Sequence, residues 1–216
     1  MPIEALFRDR AQAGQVLARA LKDVVGDSQP LVLALPRGGV PVAFEVARQL
    51  DGDLDILLVR KLGAPGEEEL AIGAISSGDV QVLNDGLIEQ LRVSPADLNR
   101  AIARERREIE RRERIYRQGR PALPVERRTA ILVDDGLATG ASMMAAASAV
   151  RAQNPERLIA SAPVGSREAC RDLRRVVDEL VCLKTPDPFG AVGAWYEDFA
   201  QTTDAEVRSL LKRASR

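Results

Sequence analysis

Apolar positions along this chain follow two patterns, one helical and one continuous. Residues 4 to 25 place Leu6, Ala13, Leu17, Leu21 and Val24 on roughly one face and predict an amphipathic helix beside the core. Next, Leu31-Val32-Leu33-Ala34-Leu35 is an unbroken apolar run that stops at Pro36-Arg37-Gly38-Gly39 and yields to helical spacing from Val40 to Leu50. This is strand, glycine-rich turn, helix. Leu54 to Val59 reads as a second strand. Thr129 to Val133 reads as a third, leading through Gly136 to Gly140 into an Ala-rich helix that ends near Gln153. Arg157 to Ala162 is a fourth, followed by a helix opening at Ser166, and Glu179 to Leu183 is a fifth, before the irregular Thr185-Pro186-Asp187-Pro188. Strands apolar on both sides and alternating with helices predict an α/β fold: a parallel twisted sheet with helices on both faces. Ligands of such sheets sit at the carboxyl ends of the strands.

Between the second and third strands the pattern changes. Ala71 to Ile75 and Val80 to Leu83 are shorter β-like pieces joined by Ser76-Ser77-Gly78-Asp79, a predicted hairpin turn. Ser94-Pro95-Ala96-Asp97 then supplies a cap, a first-turn proline and a nearby acid for a long helix to about Gln118. Residues 100 to 120 hold nine arginines and four glutamates, so this stretch carries +5 and the rest of the chain −6. These arginines could bind nucleic acid. The sequence favours a solvated helix held by Glu108–Arg112, Glu110–Arg114 and Glu113–Arg117 pairs, because only Tyr116 interleaves and the stripe Leu98, Ile102, Ile109, Tyr116 suits packing. No repeat or low-complexity linker marks a second domain, and residues 1–216 read as one.

Composition narrows the chemistry. There is no histidine, which removes Ser-His and Cys-His nucleophiles and His-bearing zinc sites, and leaves acid–base work to Asp, Glu, Lys, Tyr or the substrate. Cys170 and Cys182 fit no paired metal spacing. The longest charge-free run, Gly136 to Val150, is fifteen residues and rich in Ala, Gly and Ser, too short and polar for a membrane span. With no signal-peptide core at the N-terminus, a cytoplasmic setting is expected.

The strongest signal is Ile131-Leu132-Val133-Asp134-Asp135-Gly136-Leu137-Ala138-Thr139-Gly140-Ala141-Ser142. A buried strand delivers two carboxylates, and a small-residue loop turns directly into a helix. Its amides, with the Thr139 and Ser142 hydroxyls, suit a phosphate, while the acids suit vicinal sugar hydroxyls. The segment lacks the nucleoside-triphosphate P-loop and dinucleotide fingerprints. It resembles the type I phosphoribosyltransferases over most of the chain, most closely a bacterial group whose acceptor is unknown. That resemblance implies a phosphoribosyl pyrophosphate (PRPP) site, with Asp134 and Asp135 on the ribose hydroxyls and Ala138, Thr139, Gly140, Ala141 and Ser142 on the 5-phosphate. It also implies Mg²⁺ as cofactor, carried mainly by PRPP oxygens and water, with Asp134 or Asp135 assisting at most.

The family's pyrophosphate loop falls on Pro36-Arg37-Gly38-Gly39, where relatives often have a non-proline cis peptide. Here the glycines admit backbone amides to a diphosphate and Arg37 offers a planar fork. Arg60 and Lys61, ending the second strand, would also contact pyrophosphate, and the following Leu62 to Glu69 resembles the family's mobile catalytic loop. Arg37, Lys61, Asp134 and Asp135 are thus the expected catalytic residues. Within the seven aromatic residues of the chain, Phe189, Trp195, Tyr196 and Phe199 fall inside eleven positions. The family would use such rings in a hood over the acceptor base, built from about 1–29 and 184–216 around a core of about 30–183, with Phe189 and Trp195 stacking and Tyr196 or Asp198 as polar readers. Packing between hood and sheet is the equal alternative. The implied partners are PRPP, a small nitrogenous base and a second copy of the chain. Purine oxo-bases fit less well, because Ala138 stands where hypoxanthine-guanine relatives carry an acid. A PRPP-binding regulator without catalysis is the rival reading; the retained Arg37, Gly38, Gly39, Arg60 and Lys61 favour an enzyme.

Overall fold

The computed structural model describes residues 5–214, apart from the side chains of Glu68 and Glu69. In chain order the elements are α1 (Arg10–Val25), β1 (Leu31–Ala34), α2 (Gly39–Gln49), β2 (Asp53–Ile56), β3 (Val59–Ala64), β4 (Glu67–Ser76) and β5 (Val80–Leu83). There follow α3 (Asp85–Gln90), α4 (Pro95–Arg117), β6 (Thr129–Val133), α5 (Ala141–Arg151), β7 (Arg157–Val164), α6 (Arg167–Leu173), β8 (Glu179–Lys184) and α7 (Asp204–Ala214). Five strands form a parallel sheet in the order β2-β1-β6-β7-β8, and β3-β4-β5 form a separate antiparallel sheet.

Side chains alternate across the parallel sheet and feed two apolar layers. Val32, Ala34, Ile131, Val133 and Ile159 join α1, α2, α4 and α7 on one side. Leu31, Leu33, Ala130, Leu132, Leu158 and Ala160 pack with α5 and α6 on the other. The continuous apolar runs are the sequence consequence of this double covering. The helix starts follow local chemistry: Asp9 Oδ1 accepts from the Gln12 amide at 2.7 Å, and Ser94 Oγ accepts from the Asp97 amide at 3.1 Å.

The structure differs from the sequence expectations in the middle of the chain. The expected strand 54–59 ends at Ile56 because its pairing changes there. The Leu57 amide still bonds Ala34 O at 2.9 Å, but the Leu58 amide bonds Ser77 Oγ at 3.1 Å and Leu58 O accepts from the Ser77 amide at 2.9 Å. Val59 to Ala64, including Arg60 and Lys61, therefore starts a new sheet. Leu62 to Glu69, expected as a loop, is the β3–β4 hairpin with Gly66 at φ 83° in its turn. The first helix begins at Arg10, behind its Asp9 cap, and the expected start at Glu4 lies outside the described residues. Helices α3 and α7 had no counterpart in the sequence reading.

One buried ion pair joins the middle segment to the parallel sheet. Arg117, the last residue of α4, donates from Nη1 to Asp55 of β2 at 2.5 Å and from Nη2 to Ile56 O at 2.9 Å. Asp55 also accepts from the Leu123 amide at 2.9 Å.

Candidate active site at the carboxyl ends of β1 and β6

Strands β1 and β6 are neighbours in register, Ala34 opposite Val133, so the loops that follow them emerge side by side. The Leu35 amide bonds Val133 O at 2.9 Å, which extends the pairing to the edge of the site. A Cβ on Gly38 would stand 1.9 Å from Asp135 Oδ2, and one on Gly39 would stand 2.7 Å from Val133 O. Only glycine allows this approach. The Pro36–Arg37 peptide between them and β1 is cis. Arg37 is half-buried, and its Nη1 lies 3.6 Å from Asp204 Oδ1 on α7. Asp204 Oδ1 also accepts from the Tyr116 hydroxyl of α4 at 2.8 Å.

The two acids are not equivalent. Asp134 Oδ1 accepts from the Asp135 amide at 2.8 Å. Its carboxyl is pushed well above the ordinary carboxylate range, first by burial and then by the neighbouring Asp135 charge. Asp135 instead accepts from Arg10 Nε at 2.8 Å in a mostly buried ion pair, and its backbone oxygen accepts from the Tyr196 hydroxyl at 2.6 Å. Arg10 lies over the Phe199 ring, 3.8 Å from its centroid, and donates to Ala200 O at 2.7 Å. Asp134 thus faces the cleft, while Asp135 ties the start of α1 and the C-terminal segment to the sheet.

After the acids the chain is anchored through Leu137, whose amide bonds Val164 O at 2.9 Å and whose oxygen accepts from the Ser166 amide at 2.8 Å. Ser166 Oγ donates to Ala138 O at 2.7 Å. Thr139 is exposed with its Oγ1 accepting from the Ala141 amide at 3.3 Å, and Gly140, at φ 72°, turns the chain into α5. The first turn of a helix leaves N–H groups without intrahelical acceptors; the Ala141 amide is taken by Thr139, and exposed Ser142 presents its donors at the positive end of α5.

Two cavities collect part of the expected anion set, Arg60, Lys61 and Ser142, whereas Arg37, Gly38, Gly39 and Ala138 to Ala141 line neither. A cavity of about 100 Å³ is lined by Pro36, Arg60, Asp134 and Ser142, with Ile109 and Arg112 of α4 on its far side. Beside it, a cavity of about 380 Å³ is lined by Arg60, Lys61, Glu105 and Ser142. Arg60 Nε is held by Glu105 at 2.7 Å, whereas Lys61 is exposed.

The aromatic cluster lies elsewhere, on the Asp135 side. Trp195 and Tyr196 are buried with Phe7 and Val164, and Phe189 and Phe199 pack against them partly exposed. Ring centroids are 5.6 Å apart for Phe7–Tyr196 and 6.4 Å for Phe189–Trp195. Trp195 Nε1 donates to Phe189 O at 2.9 Å. Burial pushes the Tyr196 phenol up. Asp198 is exposed, its Oδ1 accepting from the Ala200 amide at 2.9 Å.

Sequence reasoning missed Arg10, Glu105, Arg112 and Asp204. A signal existed for two of them: Ile102, Glu105, Ile109, Arg112 and Tyr116 run at alternating spacings of three and four, so the charged pair shares the apolar face of α4. Arg10 and Asp204 depend on contacts across 88 to 190 residues of chain and left no local mark.

A parallel α/β sheet with glycine-cleared loops at the ends of β1 and β6 belongs to the class of folds that carry their ligand site at the carboxyl ends of the strands. The particular family follows from comparison. Residues 7–196 match the phosphoribosyl transferase domain, and the chain belongs to that family. Two Mycobacterium tuberculosis proteins, each named "putative phosphoribosyl transferase", are 44% identical over 211 residues, covering 98% of this chain and 47% of theirs. The chain thus spans about half the length of these curated relatives. The solved structure of TT1426 from Thermus thermophilus is 46% identical, with a TM-score of 0.88 over 96% of this chain and 98% of that one. The AQ2163 protein of Aquifex aeolicus shares the fold at 10% identity, with a TM-score of 0.51 over 87% of this chain and 85% of that one.

Proposed function

We propose that the chain binds PRPP and transfers its phosphoribosyl group to a nitrogenous base. The observation that carries this reading is the contact between the two strand-end loops, where Gly38 and Gly39 leave no room for a side chain against Asp135 and Val133. A loop pressed this closely against the strand end sets Arg37 beside Asp134, whose Oδ1 a Gly39 Cβ would meet at 3.2 Å, although the Gly39 amide itself is bonded to Leu35 O at 3.1 Å. In this reading Asp134 takes the ribose hydroxyls, with Asp135 fixing the loop through Arg10. Ala138 to Ser142 take the 5-phosphate. Arg37, Gly38, Gly39, Arg60 and Lys61 take the diphosphate. The partly exposed Phe189 stacks on the base, supported by buried Trp195 and Tyr196, with Asp198 as the polar reader.

In the reaction the acceptor nitrogen forms a bond to C1 as the C1–O bond to diphosphate breaks, and the electron pair of that bond leaves with diphosphate. The charge development resembles that of glycoside transfer. The chain's contribution is to hold the two reactants in line and to place guanidinium and ammonium groups where the leaving group gains charge. No group of three or more acidic, Cys or His ligands occurs among the described residues, and Asp134 lines the cavity while Asp135 is held by Arg10. That donor set fits a Mg²⁺ ion carried by substrate oxygens and water, with Asp134 as its protein contact. When bound, such an ion neutralises charge on the diphosphate. A cytoplasmic homodimer belongs to the same reading and rests on the family resemblance.

The test is pyrophosphate release from Mg²⁺-PRPP with a panel of purine, pyrimidine and other nitrogenous acceptors. Acceptor-dependent release is expected. PRPP binding without release across the panel would make the chain a PRPP-sensing regulator, and failure to bind PRPP would overturn the reading.

A further inference from the structure

The arginine-rich helix α4 does not lie entirely in solvent. Its inward face runs Ile102, Glu105, Ile109, Arg112, Tyr116, of which Ile102, Glu105, Ile109 and Tyr116 are buried and Arg112 is half-buried. A helix that turns a guanidinium toward its apolar seam exposes that charge to partial desolvation, which is retained only where partners or ligands compensate. Arg112 lines the 100 Å³ cavity with Arg60, Pro36, Asp134 and Ser142, opposite the strand-end loops. Arg112 engages Glu108 through Nε at 2.6 Å, and Arg60 engages Glu105 through Nε at 2.7 Å. Both contacts use the inner nitrogen of the fork, and both carboxylates belong to α4. Arg37 differs: its outer Nη1 lies 3.6 Å from Asp204, an ion pair without a hydrogen bond. Arg60 and Arg112 are thus neutralised by carboxylates of α4, and Arg37 lies near one on α7, whereas Lys61 stands exposed beside them.

From this arrangement we infer that Arg112 is an anion-binding residue of the cleft, acting with Arg60 on the diphosphate end of the ligand, and that α4 is the roof of the site. The inference rests on the PRPP reading for the identity of the ligand, but the cavity and its cations stand without it. A diphosphate offers oxygens for two planar forks at once, a match that an ammonium does not reproduce.

Isothermal titration in Mg²⁺ buffer tests this with three probes: PRPP, inorganic pyrophosphate and ribose 5-phosphate. The variants are Arg112→Gln, Arg112→Lys and, as control, Arg111→Gln, which removes the other arginine partner of Glu108 without touching the cavity. Thermal melts confirm that each is folded. Arg112→Gln is expected to weaken PRPP and pyrophosphate ten- to a hundredfold and leave ribose 5-phosphate unchanged, with Arg112→Lys intermediate and Arg111→Gln like the parent. Unchanged PRPP binding in Arg112→Gln overturns the inference while leaving the PRPP reading intact. Equal loss for ribose 5-phosphate, or equal loss in Arg111→Gln, also overturns it, because distortion or overall charge would then be the cause. Arg112-dependent pyrophosphate binding by a parent that ignores PRPP sinks the PRPP reading and keeps the inference. A parent that binds none of the three sinks both.

Discussion

The floor of the cleft and its roof are built on opposite principles. The floor is the carboxyl edge of β1 and β6, strands without a charged side chain, whose loops are positioned by backbone register and by glycines pressed to within one atom of their neighbours. The roof is β3, β4, β5 and α4, where charge concentrates on α4 and the start of the hairpin and position is set by side-chain pairs such as Arg60–Glu105, Arg106–Asp79 and Arg112–Glu108. A floor of this kind does not tolerate an added methyl group; a roof of this kind tolerates most single changes, because exposed pairs contribute little. The exceptions are Arg60–Glu105, whose carboxylate is buried, and the seam, where Arg117 and Asp55 are buried together.

The largest effect is expected at that seam. Arg117→Met leaves Asp55 buried without its cation, and the cost of breaking such a pair is about 3–5 kcal/mol. Urea denaturation should show a correspondingly lower midpoint. The double variant Asp55→Leu, Arg117→Met should recover much of the loss, since a well-packed apolar pair avoids the desolvation of both charges. A single variant as stable as the parent would mean that roof and floor are not joined here.

Next in size is a comparison of two glycines. Gly38→Ala places a methyl 1.9 Å from Asp135 Oδ2, and should lower PRPP affinity by more than tenfold while costing about 1–3 kcal/mol in overpacking. Gly66→Ala in the β3–β4 turn meets nothing within 4 Å, and pays only for its φ of 83°, about 1–2 kcal/mol, with PRPP affinity unchanged. Equal effects on affinity, measured by calorimetry, would erase the distinction between floor and roof.

The same contrast explains what could be read from the sequence. Floor strands are apolar on both faces and end in glycine- and acid-bearing loops, so β1, β6 and their motifs announce themselves locally. The roof is amphipathic and antiparallel, and its boundaries depend on which distant partner wins. Leu57 and Leu58 continue the apolar pattern of β2, yet the Leu58 amide is taken by Ser77 Oγ, a competitor nineteen residues away. The Arg-rich stretch was legible as a helix, but counting its arginines concealed that Glu105 and Arg112 occupy its apolar stripe. Periodicity locates a face; whether a charge on that face finds a cavity is a tertiary fact.

A smaller effect separates the two acids within the floor. Asp135→Asn removes the partner of Arg10, a mostly buried cation, and should cost about 1–2 kcal/mol. Asp134→Asn should cost less or stabilise at neutral pH, because the folded state holds this carboxyl well above its ordinary range. The sign follows from linkage: a folded-state pKa above the unfolded value means that the folded protein binds the extra proton, so this group's contribution improves as pH falls through the raised pKa and is lost as pH rises. Chemical denaturation at pH 7 with PRPP titrations should therefore show Asp134→Asn weak in binding but not in stability. The reverse pattern would exchange the roles of the two acids.

The smallest effect belongs to the solvated side of the roof. Arg111 and Arg112 hold the Glu108 carboxyl down to about 2 from its ordinary 4.5. A depressed folded-state pKa contributes stability that is present above the unfolded value and is lost as pH falls from about 4.5 toward 2. Solvent screens this pair, so Glu108→Gln should cost below about 1 kcal/mol at pH 7, less still at high salt, and progressively less as pH falls toward and below about 2. Its effect on the cleft has the opposite direction. Releasing Arg112 from its glutamate frees the guanidinium for an incoming diphosphate, so Glu108→Gln should bind pyrophosphate slightly more tightly than the parent. Tighter binding beside lower stability is the signature of a roof whose charges are held in balance for a ligand, and a variant that loses both would show Glu108 to be needed for placing Arg112.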